Sequence, residues 1–141
     1  MTLKKICVVG THQSGSTRLF NLVRMIYEKK GKIVYSRWNI SPEEIKEAGS
    51  KYDIILCKIH DTNINYLNNY DIILLPIRNI LDSAISSGVR NKKNSVQFYI
   101  KMCNNNIKLF NKFKSSANFI FKYENYNVYY IKLLCATLNI N

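Results

Sequence analysis

The chain has 141 residues, of which 47% are hydrophobic and 12% aromatic. This composition excludes a disordered tail and predicts one globular domain over residues 1–141. Twenty-one Lys and Arg against nine Asp and Glu give a net charge of +12, which attracts anionic ligands. The basic residues are scattered and show no zinc-finger spacing or aromatic RNA-binding motif, so the sequence favours a small anion over nucleic acid.

Membrane insertion and disulfide bonding are not expected either. No apolar run approaches the length of a membrane span, and the first apolar strand follows the start without a secretory signal, so we expect a cytoplasmic protein. The four cysteines are far apart and include no Cys-x-x-Cys pair, which predicts free thiols and no metal site.

The first half of the chain alternates short apolar runs with amphipathic segments. Residues 5–9 predict a strand, and apolar residues at helical spacing predict a helix over 17–30 that ends at Gly31. A second short strand is predicted at 33–36. The capping-box sequence Ser-Pro-Glu-Glu at 41–44 predicts a helix toward residue 48, and the apolar run 53–59 predicts a third strand.

The second half continues the same alternation. A strand is predicted at 71–77, followed by a helix that Asn79 caps and Gly88 ends. One-sided apolar spacing predicts a long helix over 95–114, with the asparagines 104–106 on its solvated face. A fifth strand is predicted at 118–122, and a last helix at 125–138. The tyrosines between 123 and 130 are expected to pack in the core and at its rim.

Strands that alternate with helices predict an α/β fold of three layers, with a central, mostly parallel sheet of about five strands flanked by helices. Ligands of such sheets bind at the carboxyl ends of the strands. Apolar runs give way abruptly to polar residues at three of these ends, namely at Gly10, at residues 58–60 and at Arg78. We therefore expect these three segments to meet in space.

Residues 10–17, Gly-Thr-His-Gln-Ser-Gly-Ser-Thr, lie between the first strand and the first helix. A strand, a glycine-bracketed loop and a helix form the layout of a P-loop, in which backbone N–H groups and the helix N-terminus bind phosphate. The nucleotide-triphosphatase form requires Lys where this chain has Ser16. The sequence thus predicts a P-loop NTPase-like fold that binds a phosphate without the charge used for ATP or GTP chemistry.

Two further pairs of residues have chemistry suited to such a site. Lys58 and His60 alternate along one strand end, so their side chains point to the same side of the sheet, and His60 is a candidate general base. Arg78 ends a strand, and Ser86 lies eight residues later on the following helix. A guanidinium and a hydroxyl together can bind a second phosphate.

These segments resemble the P-loop sulfotransferase family. Residues 12–17 resemble the family's 5′-phosphosulfate loop, and Lys-Ile-His at 58–60 resembles the Lys-Thr-His segment that carries the general base. Residues 78–86 resemble the segment that binds the 3′-phosphate, and Phe-Lys-Tyr-Glu at 121–124 resembles a further strand-ending motif. The four segments follow in the family's order and span nearly the whole chain.

The resemblance implies transfer of a sulfonate from 3′-phosphoadenosine 5′-phosphosulfate (PAPS) to a hydroxyl or amine, with release of 3′-phosphoadenosine 5′-phosphate (PAP). The acceptor would be a small molecule or carbohydrate that the sequence does not specify, and no metal would be needed. The catalytic residues would be His60, Lys58 and Gln13. The nucleotide would be bound by His12, Gln13, Ser14, Gly15, Ser16, Thr17, Arg78 and Ser86.

The chain departs from the family pattern at two places. Gln13 stands where the family usually has Lys or Arg, and the sequence stops before the family's downstream glycine-and-lysine segment. Lys58 or His12 would have to supply the charge that Gln13 lacks. Arg90, Lys92 and Lys93 would have to replace the segment that closes over the 3′-phosphate. Three alternatives therefore remain open: a catalytically degenerate nucleotide-binding module of the same fold, a nucleotide kinase-like P-loop protein, and a general polyanion binder.

Overall fold

The computed structural model describes residues 3–11, 13–60 and 63–140. Five strands form one sheet in the order β2-β3-β1-β4-β5, and every neighbouring pair is parallel. The strands are β1 (Lys4–Val9), β2 (Val34–Trp38), β3 (Ile54–Ile59), β4 (Ile72–Ile77) and β5 (Phe119–Lys122). The predicted three-layer α/β fold with about five strands is confirmed, and the sheet is entirely parallel.

Five helices connect the strands and cover the sheet. They are α1 (Ser16–Lys29), α2 (Pro42–Ala48), α3 (Ile80–Asn91), α4 (Val96–Phe113) and α5 (Val128–Thr137). Helices α1 and α5 pack on one face through residues such as Leu19 and Leu134, while α2 and α4 pack on the other through Ile45 and Phe113. None of the helices in the described part of the chain has the length and apolar character needed to span a bilayer.

The strand register brings the polar strand ends to one edge of the sheet. Val9 of β1 pairs with Ile59 of β3, so the loop after β1 starts beside His60. On the other side of β1, the end of β4 pairs with β5, with Ile77 opposite Lys122. Because all strands are parallel, their following loops share this edge, as expected for a ligand site.

Local sequence signals explain most helix ends. The Ser41 side chain accepts the Glu44 N–H and the Glu44 side chain accepts the Ser41 N–H, which is the predicted capping box. Gly31 follows α1 with a φ of 72°, the left-handed conformation that glycine tolerates.

The predicted end of α3 at Gly88 is wrong, because the helix continues to Asn91 and ends where Lys92 has a φ of 55°. A Cβ at Gly88 would lie 2.5 Å from the Tyr99 ring and 2.5 Å from the Lys93 carbonyl oxygen. This glycine therefore permits close packing against α4 rather than ending the helix.

Two further predictions differ from the structure. The segment Tyr123–Asn125 forms a 3₁₀ turn, and α5 begins only after Asn127, whose side chain accepts the Tyr130 N–H. Asn106 was expected on the solvated face of α4, yet its side chain is 3% exposed. The helix turns this asparagine inward because it lies one turn before Phe110, which also packs toward the sheet.

Candidate functional site

Two glycines shape the loop between β1 and α1. A Cβ added to Gly10 would lie 2.6 Å from the Ser16 Cβ, so the loop closes too tightly for any other residue there. Gly15 is the N-cap of α1 with a φ of 84°, and a Cβ at this position would overlap the Tyr123 ring. The loop therefore needs glycine at both ends, as the sequence pattern predicts for a phosphate loop.

The start of α1 has no acceptor from the described protein residues. Gly15 provides no side-chain cap, and the first turn of the helix contains no acidic residue. The first N–H groups of a helix need an acceptor, and together with the helix dipole they favour an anion. The first turn, with Ser16 and Thr17, lines an open cleft where a phosphate or sulfonate could supply that acceptor.

The loop residues do not all face this cleft. Ser14 is 1% exposed, its hydroxyl is 2.9 Å from the position of a Cβ on Gly10, and it has no hydrogen-bond partner in the described structure. The Ser14 side chain thus lies beneath the loop, while Gln13, Gly15, Ser16 and Thr17 line the cleft. The prediction for His12 lies outside the described residues.

Lys58 is a nearly buried cation beside the loop. Its side chain is 7% exposed, and its ammonium donates a 2.6 Å hydrogen bond to the Thr17 hydroxyl. The same ammonium is 4.5 Å from the centre of the Trp38 ring. Burial, followed by the positive charge of Arg90, lowers the pKa of Lys58. The sheet therefore holds a desolvated cation against the first turn of α1.

His60 is tied to the loop from the same strand end. Its Nδ1 lies 2.6 Å from the Gly10 carbonyl oxygen, and its ring lies edge-on to Trp38 with the ring centres 4.7 Å apart. A carbonyl oxygen can only accept, so Nδ1 carries the hydrogen and Nε2 is the basic nitrogen of the neutral ring. The contact with Gly10 thus holds the ring at the cleft in the tautomer that leaves Nε2 as its basic nitrogen.

Arg78 lies on the opposite wall of the cleft. One of its terminal nitrogens is 3.4 Å from the Ser86 hydroxyl, and its guanidinium is 5.1 Å from the centre of the Tyr123 ring. The Asn79 N–H donates a 2.6 Å hydrogen bond to the Glu124 carboxylate, which joins the start of α3 to the end of β5. Arg78 and Ser86 are therefore brought together as predicted.

Three side chains that line the cleft, Arg18, Trp38 and Tyr123, were not predicted as site residues. The Arg18 guanidinium is 3.8 Å from the centre of the Tyr126 ring and 5.2 Å from that of Tyr123. Trp38 also lines the cleft. Tyr126 packs on the core as expected, whereas Tyr123 faces the cleft. The position of Arg18 immediately after the loop, on the first turn of α1, was the signal that could have identified it.

The cleft has a volume of about 770 Å³, within the usual range of about 300–1,000 Å³ for small-molecule sites. Four Lys and Arg side chains line it, and no Asp or Glu does so among the described residues. These cations are Arg18, Lys58, Arg78 and Arg90. The electrostatics therefore favour a ligand with several negative charges.

The parallel sheet, its strand order and the glycine-bracketed loop from β1 to α1 define a fold of the P-loop α/β class. Comparison with family models finds no match, and no curated protein sequence matches significantly. Solved structures do match.

One of these is a mouse sulfotransferase, SULT7A1, complexed with PAP, with a TM-score of 0.64 and 13% identity. The match covers 98% of this chain, which spans only 59% of that protein's chain. Shikimate kinase from Bacteroides thetaiotaomicron matches with a TM-score of 0.55 and 12% identity, over 97% of this chain and 99% of its own. Protein TT1252 from Thermus thermophilus matches with a TM-score of 0.56 and 11% identity, over 99% of this chain and 98% of its own. These similarities establish the fold.

Proposed function

We propose that the protein is a PAPS-dependent sulfotransferase, a single cytoplasmic domain over residues 1–141 that transfers a sulfonate to an acceptor hydroxyl or amine. The observation that carries this proposal is the convergence of Lys58, His60 and Arg78 on one cleft beside a phosphate loop that has Ser16 in place of the triphosphatase lysine. The cleft thus combines cations for two phosphate groups with a histidine whose Nε2 would act as the base.

The residues of the cleft fit this donor in separate places. The N–H groups of the loop and of the first turn of α1 would bind the 5′-phosphosulfate, with the Ser16 and Thr17 hydroxyls beside them. Arg78 and Ser86 would bind the 3′-phosphate. Tyr123, which lines the cleft with Arg18 over its ring, would form an aromatic wall suited to the purine base. Ser14 would contribute its backbone only.

The donor supplies the sulfonate group. In the transfer, a bond forms between the acceptor oxygen or nitrogen and sulfur, while the bond from sulfur to the 5′-phosphate oxygen breaks. His60 Nε2 takes the acceptor's proton, and its hydrogen bond to the Gly10 carbonyl keeps the ring oriented. Lys58 offsets negative charge near Thr17, and Gln13 would add an uncharged hydrogen bond.

A kinase-like function is the second candidate. The fold is shared with shikimate kinase, and the Lys58 ammonium beside Thr17 places a cation near the loop although the loop itself has none. A non-catalytic nucleotide-binding module is the third, because Gln13 lacks the charge that would stabilise a transferring group. Measurements of nucleotide binding and of sulfonate transfer distinguish these three functions.

Calorimetric titration with PAP, AMP and ATP, each with and without magnesium, tests the nucleotide. We expect magnesium-independent binding of PAP that is at least tenfold tighter than binding of AMP, because only PAP has the 3′-phosphate for Arg78 and Ser86. Magnesium-dependent binding of ATP that exceeds PAP binding would support the kinase-like function instead. Equal affinities for PAP and AMP would remove Arg78 and Ser86 from the site.

Turnover is tested by release of PAP from PAPS in the presence of phenol, amine and sugar acceptors. We expect His60→Ala to abolish acceptor-dependent release while PAP affinity stays within about threefold, since the histidine acts on the acceptor rather than on the nucleotide. Tight PAP binding without release for any acceptor would indicate the non-catalytic module.

A further inference from the structure

Helices α3 and α4 expose an apolar face that the function proposed above does not use. The two helices lie side by side, because a Cβ at Gly88 would be 2.5 Å from the Tyr99 ring and the Cys103 Sγ is 3.9 Å from the Ile80 carbonyl oxygen. Six large aliphatic side chains on them are between 42% and 75% exposed, and none of the six lines the cleft. They form what we call the α3–α4 face: Leu81, Ile85, Val89, Val96, Ile100 and Ile107.

The α3–α4 face consists of two stripes at helical spacing. On α3 its residues recur at every fourth position. On α4, with the half-buried Cys103 included, the spacings are four, three and four residues, which is the heptad spacing of a helix that packs against another helix. Val89 and Ile100 each directly follow a residue of the contact between the helices, Gly88 and Tyr99. The two stripes are therefore neighbours and form one continuous surface.

The surroundings of this face are strongly basic. Residues 80–113, which span α3, the following turn and α4, contain six Lys and Arg against a single acidic residue, Asp82, and so have a net charge of +5. Lys92 and Lys93 are exposed in the turn, and Lys101 and Lys108 are exposed on α4, each directly after a residue of the face. Charge complementarity therefore favours a partner whose apolar surface is flanked by Asp and Glu.

Area and charge both disfavour a second copy of this chain as the occupant. The 12 residues of α3 are about 18 Å long, and two adjacent helices are about 20 Å wide, so the face covers about 360 Å². A stable interface buries about 800 Å² on each partner. A symmetric dimer would also bring two surfaces of charge +5 together. A single helix, in contrast, fits the surface between two parallel-lying helices.

The composition of the face disfavours a membrane. Helices that lie in a membrane interface insert Trp, Phe and Leu side chains on a broad apolar side. None of the six residues of the α3–α4 face is aromatic, and five of them are the β-branched Val and Ile. Branched side chains at heptad spacing are typical of contacts between helices.

We propose that the α3–α4 face binds an amphipathic helix of a partner protein, with the helix's apolar stripe packed on the face and its Asp and Glu side chains beside the lysines of α4 and of the preceding turn. The small area makes this interaction weak and reversible. The proposal is independent of sulfonate transfer, because the residues of the face take no part in the proposed reaction.

The probe is a fluorescently labelled helical peptide of about three heptads, with Leu at the a and d positions and Glu at the e and g positions. We expect it to bind with a dissociation constant below about 100 μM, measured by fluorescence anisotropy. A peptide of the same composition with a scrambled order lacks the apolar stripe and should bind at least tenfold more weakly. A peptide with Lys in place of Glu should also bind at least tenfold more weakly, because it meets like charges.

Val96→Asp should weaken binding of the Glu peptide at least tenfold and leave PAP affinity unchanged. Val128→Asp is the matched control, since both valines are the first residues of their helices, α4 and α5, and are 67% and 71% exposed. An aspartate at a helix N-terminus is favourable, so both variants should fold. The double variant Lys101→Glu, Lys108→Glu should reverse the preference, so that the Lys peptide binds more tightly than the Glu peptide.

The proposal is overturned if the Glu peptide binds no more tightly than the scrambled peptide, or if Val96→Asp and Val128→Asp weaken its binding equally. A dimer in analytical ultracentrifugation that Val96→Asp dissociates would assign the face to a second copy and overturn the proposal. Without peptide binding, attachment to vesicles of equal parts phosphatidylcholine and phosphatidylserine that Val96→Asp abolishes would assign it to a membrane, with the same consequence. A loss of PAP binding with intact peptide binding would contradict the proposed function and leave this inference standing.

Discussion

The ammonium of Lys58 and the hydroxyl of Thr17 are joined by a 2.6 Å hydrogen bond that links residues 41 positions apart. This contact ties the end of β3 to the first turn of α1, next to the loop. A triphosphatase P-loop supplies its cation from the loop, at the position that Ser16 occupies here. In this protein the neighbouring strand supplies a cation to the same region.

Lys58→Met is expected to lower PAP affinity at least tenfold, about 1.4 kcal/mol, because it removes a desolvated charge from the cleft. Stability should be unchanged or higher, since burial of the ammonium is unfavourable and lowers its pKa. Calorimetry and thermal denaturation measure the two effects. Lys132→Met changes the net charge equally at an exposed position of α5. An equal loss of affinity in both variants would show that only overall charge matters.

The two glycines with positive φ provide a test of the loop. Gly15→Ala and Gly31→Ala both force alanine into the left-handed region, with φ of 84° and 72°, at about 1–2 kcal/mol each. A Cβ at Gly31 meets nothing within 4 Å, whereas one at Gly15 overlaps Tyr123. We therefore expect Gly15→Ala to be the more destabilising in urea denaturation, and to be the only one of the two that weakens PAP binding. Similar losses of stability would contradict the close approach of Tyr123 to the loop.

Gln13→Lys should increase turnover if the protein is a sulfotransferase. Gln13 lines the cleft with a φ of 57°, and its carbonyl accepts the Ser83 hydroxyl at 3.3 Å, so the backbone is already held in place. A positive charge there would stabilise charge that develops during transfer, for which we expect at least a tenfold faster release of PAP from PAPS. Gln13→Met is the control without charge and should not accelerate release. A slower Gln13→Lys variant would mean that this side chain lies away from the transferring group.

Tyr27 gives the protein a pH dependence at alkaline pH. Its hydroxyl donates a 3.0 Å hydrogen bond to the Leu138 carbonyl, and burial raises its pKa to about 12. The unfolded chain loses this proton near pH 10, so the stabilisation is complete below that pH and is lost as the pH rises toward 12. The full loss corresponds to about 3 kcal/mol.

The measurement is the free energy of unfolding of the wild type and of Tyr27→Phe between pH 8 and pH 12. The difference between the two should stay constant up to about pH 10 and then fall, because phenylalanine has no proton to lose. Tyr129→Phe, at a tyrosine of α5 that is 70% exposed, should parallel the wild type throughout. If the free energies of unfolding of the wild type and Tyr27→Phe differed by the same amount from pH 8 to pH 12, the raised pKa of Tyr27 would be contradicted.

Much of the site could be predicted because its residues follow strand ends. Gly10, His60 and Arg78 each come directly after a buried strand, and a parallel sheet brings such positions to one edge. Lys58, His60 and Arg78 therefore line one cleft, and Ser86 lies within hydrogen-bond distance of Arg78. The contact between Arg18 and Tyr126 was missed because the two residues come from α1 and from the segment between β5 and α5, and such a long-range contact leaves no local pattern in the sequence.

The sequence by itself determined the alternation of strands and helices, the capping box at Ser41 and the loop between the two glycines, because periodicity and backbone preference act over a few residues. Only the tertiary structure decided that Gly88 packs against Tyr99 instead of ending α3, and that Asn106 turns inward without a partner. The orientation of a helix about its axis depends on which side chains of distant elements fill the space beside it. Packing between distant elements therefore sets this orientation, and no short segment of the sequence predicts it.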